Sequence, residues 1–291
     1  MHFNALLAVA AVAGSVSGLA VRQNTPAYQV LPPTPELPKP ISTVKTPING
    51  IQMWFQKYNE KAGGVPIVMD HGGLGFSGYF GSVITRLIDA GHYVIAVDRR
   101  GHGRTTYNAN DVFTYDQMAA DIHALLEGAG VPKYNVVGWS DGGITTLAAL
   151  INPVTAKPIN KAFVFGASSR PEQTNATFSD TAIFSTLVAR CRTEYASLQP
   201  GVDFTAFATK VATMEGTLPQ FTAAQLAGID GKRVMIAGAE HEEAVNRDVP
   251  GILNKAIPGS SVTILKGVSH FAPMQDPAQF TKAVIDFFNK A

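Results

Sequence analysis

The sequence predicts one α/β domain, built on a mostly parallel sheet with helices on both faces. Six short apolar runs, rich in valine and isoleucine, lack the alternation of half-exposed strands and are too short for buried helices. Stretches with helical periodicity separate most of these runs. A repeated order of strand and helix is typical of a parallel sheet whose strands are covered on both sides. A chain of 291 residues is long enough for one large core with an insertion.

The predicted elements follow each other regularly from about residue 48. Residues 49–58, NGIQMWFQKY, alternate between apolar and polar and predict a strand after a turn. The apolar runs then follow as VPIVMDHGG, HYVIAVDRRGHG, KYNVVGWSDGG, KAFVFGASS, KRVMIAGAE and SSVTILKGVSH. The predicted helices are Tyr79–Ala90, Tyr115–Ala129, Gly143–Ile151, Ala244–Ala256 and Pro277–Asn289.

The alternation of strand and helix is interrupted between about residues 168 and 231. This stretch contains no convincing strand, and its pattern predicts several short helices. Long insertions inside a compact domain usually have a function, such as covering a site. We therefore predict a helical lid at about residues 168–231, within a domain that spans residues 48–291.

The N-terminal segment predicts a secreted protein. Ala5–Ala13 is a short apolar core, and in Gly18-Leu19-Ala20 the first and last residues are small, at the positions that a signal peptidase reads. The apolar run is shorter than the roughly 18 residues of a membrane-spanning helix, so we expect no stable membrane anchor. We predict a signal peptide at residues 1–20 and a proline-rich N-terminal arm at residues 21–47. In a secreted chain, the sequon at Asn175 is a candidate glycosylation site.

The charge balance argues against nucleic acid and anionic membranes as partners. The net charge is +1, and the sequence has no basic stripe or acidic run. A near-neutral surface is compatible with an uncharged small-molecule substrate. The single cysteine, Cys191, excludes an internal disulfide, and its surroundings, VARCRTEY, favour a thiol packed on a helix over a nucleophile.

Residues 138–142, GWSDG, match the G-x-S-x-G pattern of a nucleophile elbow. They stand where an apolar strand ends and a helical stretch begins, which is the placement that this motif requires. In so tight a turn, side chains two residues from the serine would collide, and glycine avoids the collision. Backbone N–H groups at the helix N-terminus would face developing negative charge. Ser140 is therefore the predicted nucleophile.

A serine hydroxyl needs a neighbouring base, and His270 is the predicted one. It follows the final apolar run, in GVSHFAP. In the elbow architecture the acid and then the histidine come after the serine along the chain. His71 and His102 precede the serine in glycine-rich turns, and His241 lies among the candidate acids rather than after them.

The carboxylate that orients the histidine should follow the run KRVMIAG. Glu242 is the predicted acid, with Glu240 as the alternative. Glu172, after the preceding strand, is a more distant candidate. Glu243 is expected to start the next helix instead, where a negative charge is favourable to the helix dipole.

Two backbone N–H groups should form an oxyanion hole. Asp141, directly after the nucleophile, would supply one, and Gly73 or Leu74, in the loop after His71, would supply the other. The side chain of Asp141 is expected to act as an acid in the first turn of a helix. Residues 99–104, RRGHGR, are expected to form a structural turn whose arginines pair locally.

Patterns for metal ions and nucleotide cofactors are not found in the sequence. It has no H-E-x-x-H, no paired cysteines, no clustered carboxylates at ligand spacing and no G-x-G-x-x-G that opens a helix. We therefore expect neither a metal ion nor an organic cofactor.

The motifs, taken in order, resemble those of the α/β-hydrolase family. HGGLG, VDRRGHGRT, GWSDGG, MIAGAEHEEAV and GVSHFAPMQDP occur in family order between Val65 and Ala291. The resemblance implies an eight-stranded sheet, a helical lid between the sixth and seventh strands, Ser140 as nucleophile and His270 as base. Where family members commonly have Gly-Asp-His-Asp-Glu, this chain has AEHEE, and alignment on the histidine puts Glu242 in the place of the acid.

The predicted function is hydrolysis of a small, apolar carboxylic ester through an acyl-enzyme. Related epoxide hydrolases and haloalkane dehalogenases have aspartate at the elbow, whereas a serine favours acyl transfer to water. Two alternatives stay open at this point. The same triad could hydrolyse a C–C bond or a lactone, or the chain could be an inactive relative that binds a ligand or a partner.

Overall fold

One sheet of eight strands organises residues 25–290, which are the residues that the computed structural model describes. The predicted signal peptide at residues 1–20 lies outside them. The strands are β1 (Lys45–Ile48), β2 (Ile51–Tyr58), β3 (Ile67–Asp70), β4 (Val94–Val97), β5 (Tyr134–Trp139), β6 (Ile159–Phe165), β7 (Val234–Ala239) and β8 (Ser261–Leu265). Their spatial order is β1-β2-β4-β3-β5-β6-β7-β8.

The pairings from β4 to β8 are parallel, and β2 pairs antiparallel with both β1 and β4. Strands β3, β4, β5 and β7 are buried along their whole length. Burial on both faces explains why their sequences run apolar without alternation. The predicted α/β class with a mostly parallel, eight-stranded sheet is confirmed.

Helices cover the sheet. They are α1 (Gly81–Asp89), α2 (Tyr115–Gly128), α3 (Asp141–Ile151), α4 (Pro153–Ala156), α5 (Ala182–Leu198), α6 (Phe204–Thr217), α7 (Ala223–Ala227), α8 (Val249–Ala256), α9 (Ala272–Gln275) and α10 (Pro277–Phe288). Within residues 25–290, no helix combines the length and apolar character needed to cross a bilayer.

The sheet begins earlier along the chain than the sequence predicts. Strand β1 starts at Lys45, inside the segment predicted to be an N-terminal arm. It contains Pro47, which lies opposite Gln52 of β2. A proline is tolerated there because β1 is an edge strand, and no strand within residues 25–290 pairs with its outer side. The preceding segment also packs on the domain, since Leu37 is buried.

Helix α8 begins five residues later than predicted, at Val249 rather than Ala244. The carboxylate of Glu242 explains the delay. Its Oε1 accepts hydrogen bonds from the backbone N–H groups of Ala244 (2.9 Å) and Val245 (3.3 Å). Such bonds from a side chain to the nearby backbone compete with a helix and hold this stretch in a turn.

The segment between β6 and β7 is helical and includes α5, α6 and α7. Aromatic side chains form its core, where Tyr195 stacks on Phe207 with ring centroids 4.6 Å apart. Phe207 also contacts the ring of His102, in the loop after β4, at 4.8 Å. The insertion therefore packs against the edge of the sheet at which the strands end. Its role as a lid stays a prediction.

The register of the sheet brings the ends of four strands together. Asp70 of β3 pairs with Gly138 of β5, Trp139 pairs with Phe165 of β6, and Phe165 pairs with Ala237 of β7. The loops that follow these strands consequently meet at one edge of the sheet, which is where open α/β sheets bind ligands.

Candidate active site

Ser140 occupies the turn between β5 and α3. Its backbone has φ 56° and ψ −121°, a conformation that residues other than glycine rarely adopt. Its N–H donates to the carbonyl oxygen of Phe165 at 2.8 Å. Helix α3 begins directly after it, at Asp141 and not at Gly143 as predicted, and the Ser140 side chain makes no capping bond to the helix. Ser140 therefore stands, strained and uncapped, at a helix N-terminus.

The glycines two residues before and after Ser140 are required for steric reasons, because a side chain at either position would clash with backbone. A Cβ at Gly142 would overlap the backbone carbonyl of Asp70, and a Cβ at Gly138 would overlap the backbone carbonyl of Gly142. Backbone groups in a sheet and a helix cannot rotate away as a flexible side chain can. The structure thus gives the spacing of the GWSDG motif a steric cause.

Replacing Gly142 with alanine should destabilise the protein strongly. Overpacking typically costs about 1–3 kcal/mol, and we expect at least the upper end because the obstacle is backbone. Urea denaturation measures the effect. Gly251→Ala is the matched control, since Gly251 lies in α8 with open space around its Cα. The control should be neutral or stabilising by up to about 1 kcal/mol. Equal stabilities of the two variants would contradict the steric explanation.

His270 lies beside this turn and is held by Glu242. Its Nδ1 is 2.8 Å from Oε1 of Glu242, and the two side chains are 5% and 1% exposed. A Cβ at Gly166 would lie 2.8 Å from Cε1 of His270. Gly166 directly follows Phe165, whose carbonyl accepts the N–H of Ser140. The serine and the histidine therefore flank the same dipeptide at the end of β6.

The two candidate acids occupy different environments. Glu242 is buried, and two backbone N–H groups of its own turn fix its carboxylate opposite His270. Glu240 points to solvent, where its carboxylate accepts from the N–H of Gly267 at 2.9 Å and pairs with Lys266 at 3.2 Å. The hydrogen bond from Gly267 and that from Lys266 lower the pKa of Glu240. The geometry favours Glu242 as the partner of His270.

The alternative histidine, His241, is part of a different contact. It stacks on Tyr28 of the N-terminal arm, with ring centroids 3.7 Å apart. Its Nε2 is 4.0 Å from Oε2 of Glu240, at the solvent-facing side of the turn. This arrangement gives His241 a role in docking the arm.

The prediction for Glu243 is wrong. Because α8 begins only at Val249, Glu243 does not start a helix. Its carboxylate instead accepts hydrogen bonds from Oγ of Ser269 at 2.7 Å and from the backbone N–H of His270 at 2.9 Å. Two neighbouring glutamates therefore hold His270, Glu242 at its ring and Glu243 at its backbone. The sequence-based reasoning missed this second contact.

The pKa of His270 is raised above its ordinary range. Burial, the largest single effect, disfavours the charged imidazole, but the carboxylates of Glu242, Glu243 and Asp141 together outweigh it. A base must be neutral to accept a proton, so activity should be present above this pKa and lost as the pH falls through it. The acid limb should therefore lie above the value of about 6.5 for free histidine.

The variant Glu243→Gln tests this assignment of the acid limb. Removing one nearby negative charge should move the apparent pKa of kcat/KM down, by about one pH unit or less, which corresponds to about 1.4 kcal/mol or less. The pH profile of kcat/KM measures it. The same change at Glu172, which is exposed in the insertion, is the control and should leave the limb in place. An unmoved limb in Glu243→Gln would contradict the assignment.

The loop after β3 passes close to Ser140. A Cβ at Gly72 would lie 3.4 Å from Cβ of Ser140, and Leu74 has φ 57°, which turns the backbone here. Among the described residues, the N–H groups of Gly73, Leu74 and Asp141 donate no hydrogen bond. Free N–H groups beside the nucleophile are what an oxyanion hole requires. Their role as the hole stays a prediction.

The side chain of Asp141 is not a simple helix-dipole acid, as the sequence analysis expected. It is buried, and its Oδ1 accepts from the hydroxyl of Tyr115 at 2.8 Å. Its other oxygen faces Glu215 of α6, a residue to which no sequence motif pointed. Contacts between the insertion and the elbow become visible only in the folded chain.

The arginines of residues 99–104 form internal ion pairs, as predicted. They pair as Arg99 with Asp70, Arg100 with Asp111 and Asp121, and Arg104 with Asp98.

Cys191 and Asn175, the remaining residues singled out in the sequence, both contact neighbouring parts of the fold. Cys191 is buried on α5, and burial raises the pKa of its thiol to about 12, which suits a packed thiol rather than a nucleophile. Asn175 is half-buried, and its Nδ2 donates to the carbonyl of Glu243 at 2.9 Å. Glycosylation at Asn175 stays a prediction. In residues 25–290 no three metal-ligating side chains cluster.

Comparison with known proteins identifies the family of the chain. The profile of the Alpha/beta hydrolase family matches residues 67–283, which include both the elbow and His270. The chain belongs to the alpha/beta hydrolase family. Its fold is similar to that of a meta-cleavage product hydrolase from Pseudomonas fluorescens, with a TM-score of 0.72 and 17% identity, over 86% of this chain and 98% of the other. The fold is also similar to that of an enol-lactonase from Burkholderia xenovorans, with a TM-score of 0.67 and 20% identity. This match covers 84% of this chain and 100% of the lactonase.

Curated relatives of this α/β hydrolase match a shorter region. An sn-1-specific diacylglycerol lipase of Xenopus tropicalis is 28% identical over 102 residues, which are 35% of this chain and 31% of the lipase. The matched region thus spans about a third of that relative. The family match supports a hydrolase, and relatives matched over so short a region leave its substrate open.

Proposed function

We propose that this α/β hydrolase is a secreted serine hydrolase that cleaves carboxylic esters of a small, apolar substrate. One observation carries the proposal. Nδ1 of His270 lies 2.8 Å from the buried carboxylate of Glu242, and the histidine sits beside the strained turn that presents Ser140. A nucleophile, a base and an orienting acid in this order are the parts that acyl transfer requires.

The chemistry follows from these three side chains. Oγ of Ser140 attacks the ester carbonyl carbon while Nε2 of His270 takes its proton, and Glu242 stabilises the imidazolium through Nδ1. The N–H groups of Asp141 and of Gly73 or Leu74 would hold the oxyanion. Each such donor typically lowers the barrier by about 3–4 kcal/mol.

Collapse of the tetrahedral intermediate releases the alcohol, which leaves with the proton from His270. The acyl group stays on Ser140. Water then attacks this acyl-enzyme, His270 takes the proton of the water, and the carboxylic acid leaves with Oγ of Ser140 protonated again. The cycle consumes one ester and one water and returns the enzyme unchanged.

The surroundings of His270 support an apolar substrate. The ring of Phe178, from the insertion, lies edge-on to the imidazole with centroids 6.2 Å apart. Phe178 in turn contacts Phe184 at 5.0 Å. These rings give the insertion an apolar surface over the base. We infer that the insertion acts as a lid over the bound acyl or alcohol group.

A substrate panel tests the reaction class. The full chain is assayed against p-nitrophenyl esters of increasing acyl length, lactones and 1,3-diketones, with Ser140→Ala as background. We expect cleavage of esters and an acyl-enzyme in which the acyl group replaces the hydroxyl hydrogen of Ser140, with the corresponding increase in mass. Cleavage of diketones but not of esters would favour a C–C bond hydrolase. Preferential cleavage of lactones would favour a lactonase. No turnover of any class would favour an inactive relative.

The proposal of secretion has a separate test. The predicted signal peptide at residues 1–20 supports it. Expression of the full sequence in a eukaryotic host, followed by N-terminal sequencing of protein from the medium, should show a chain that begins near Val21. Retention inside the cells with Met1 intact would contradict secretion.

A further inference from the structure

The carboxyl groups of Asp141 and Glu215 meet beside the nucleophile. A Cβ at Gly73 would lie 2.5 Å from Oε1 of Glu215 and 2.8 Å from Oδ2 of Asp141. Both oxygens therefore contact the same point on the loop that is predicted to hold the oxyanion. Asp141 follows Ser140 directly, whereas Glu215 belongs to α6 of the insertion.

One oxygen of this pair lacks a hydrogen-bond donor. Oδ1 of Asp141 accepts from Tyr115, but the buried Oδ2 has no partner among the described residues other than the carboxyl group of Glu215. Two ionised carboxylates whose oxygens both lie against Gly73 would repel each other, and a buried acceptor without a donor costs free energy. A proton held between the two carboxyl groups removes both problems.

The nearest cation cannot neutralise a second negative charge. Arg99 lowers the pKa of both Asp141 and Glu215. Its guanidinium, however, is already paired with Asp70 and donates to the carbonyl oxygens of His71 and Gly72. The single positive charge of Arg99 therefore lies near three carboxyl groups, those of Asp70, Asp141 and Glu215, and can neutralise only one negative charge.

The side chain of Glu215 is exposed to solvent, and its Oε1 lies close to the backbone of Gly73. Desolvation by the surrounding protein and the negative charge of Asp141 raise the pKa of Glu215 well above its ordinary range. Its position next to Gly73 places its carboxyl group beside the predicted oxyanion hole.

We propose that Glu215 is a positioning residue that shares one proton with Asp141. The proton joins helix α6 to the nucleophile elbow and limits the pair to a single negative charge beside the oxyanion hole. When the proton is lost, the two charges repel α6 from the elbow and oppose the developing oxyanion. The effect on catalysis rests on the proposed function, whereas the shared proton does not.

The other titratable groups that face Asp141 and Glu215 are not expected to cause a loss of reactivity on the alkaline side. The pKa of Tyr115 is raised, chiefly by burial, well beyond the working range. Burial raises the pKa of Asp70 to about 6, and His270 controls the acid limb. A loss of reactivity on the alkaline side is therefore expected from the Asp141–Glu215 pair.

Infrared spectroscopy of the full chain tests for the proton without requiring activity. At neutral pH the wild type should show the C=O band of a protonated carboxylic acid, and Glu215→Gln should lose it. Glu172→Gln, the same change at an exposed site of the insertion, should keep the band. A spectrum that does not change between wild type and Glu215→Gln would overturn the proposal.

The rate of fluorophosphonate labelling, measured against pH, tests the catalytic consequence. Above the pKa of the pair, the wild-type rate should fall by about tenfold per pH unit, as for any reactive form that loses one proton. Glu215→Gln should lose this alkaline limb, because its amide donates to Asp141 without titrating. At neutral pH its rate should stay within about threefold of wild type, since the hydrogen bond is kept.

Controls separate this proposal from the function it rests on. Thermal unfolding of each variant shows whether it folds. Glu215→Ala, which can neither donate nor share a proton, should label more slowly than Glu215→Gln at neutral pH. An alkaline limb that persists in Glu215→Gln would overturn the role of the pair in catalysis. Absence of any labelling in the wild type would count against the serine hydrolase, and the infrared result would still decide whether the proton is shared.

Discussion

Replacing Ser140 with alanine is expected to lower kcat by about 10⁶-fold, the size of loss seen when a serine hydrolase loses its nucleophile. The reason is that no acyl-enzyme can form without Oγ. The substitution removes one oxygen at the surface of a turn and leaves the backbone contact with Phe165 in place. The fold should therefore survive, and the loss should appear in kcat.

Turnover of the best ester from the panel measures this loss, and circular dichroism checks the fold. Ser169→Ala is a control, since Ser169 is a buried serine after β6 whose hydroxyl binds Gln173. The control should retain activity within about tenfold of wild type. If Ser140→Ala retained wild-type turnover, Ser140 would not be the nucleophile.

Replacing Glu242 with glutamine is expected to lower kcat by about 10⁴-fold, as for the aspartate-to-asparagine change in a Ser-His-Asp triad. Glutamine has nearly the same shape but cannot stabilise the imidazolium, and its amide can force the wrong tautomer on His270. The buried position of Glu242 and its 2.8 Å approach to Nδ1 underlie the size of the effect.

Glu240→Gln is the matched control for the triad acid. The same chemical change, two residues away, removes the negative charge that pairs with Lys266, whereas the amide oxygen can still accept from the N–H of Gly267. Exposed pairs of this kind are worth little, so activity should stay within about threefold of wild type. A large loss in Glu240→Gln together with a small one in Glu242→Gln would reverse the assignment of the acid.

Much of the fold and the centre of the site could be predicted from the sequence because their signals are local. Most of the apolar runs mark buried strands, although the last one forms β8, which is largely exposed. The glycines around Ser140 mark a turn that excludes a Cβ. Chain order then points to His270 as the base. Glu242 was distinguishable from Glu240 by alignment on the neighbouring histidine, and its burial and hydrogen bonds give that choice a physical basis.

The features that escaped the sequence analysis depend on tertiary contacts. Strand β1 was hidden by Pro47, which an edge position tolerates. Glu243 was assigned to a helix because nothing local reveals that the carboxylate of Glu242 holds the chain in a turn. Glu215 lies in a helix of ordinary composition, and its contact with Asp141 exists only once the insertion has packed over the elbow.

Mapping the fluorophosphonate adduct tests the central claim most directly. Folded wild-type protein and His270→Ala are treated with the probe, digested and analysed by mass spectrometry. We predict one adduct, on Oγ of Ser140, which forms at least about 10³-fold more slowly in His270→Ala because the base is missing. An adduct on another residue, or equal rates in the two proteins, would contradict a site in which His270 activates Ser140.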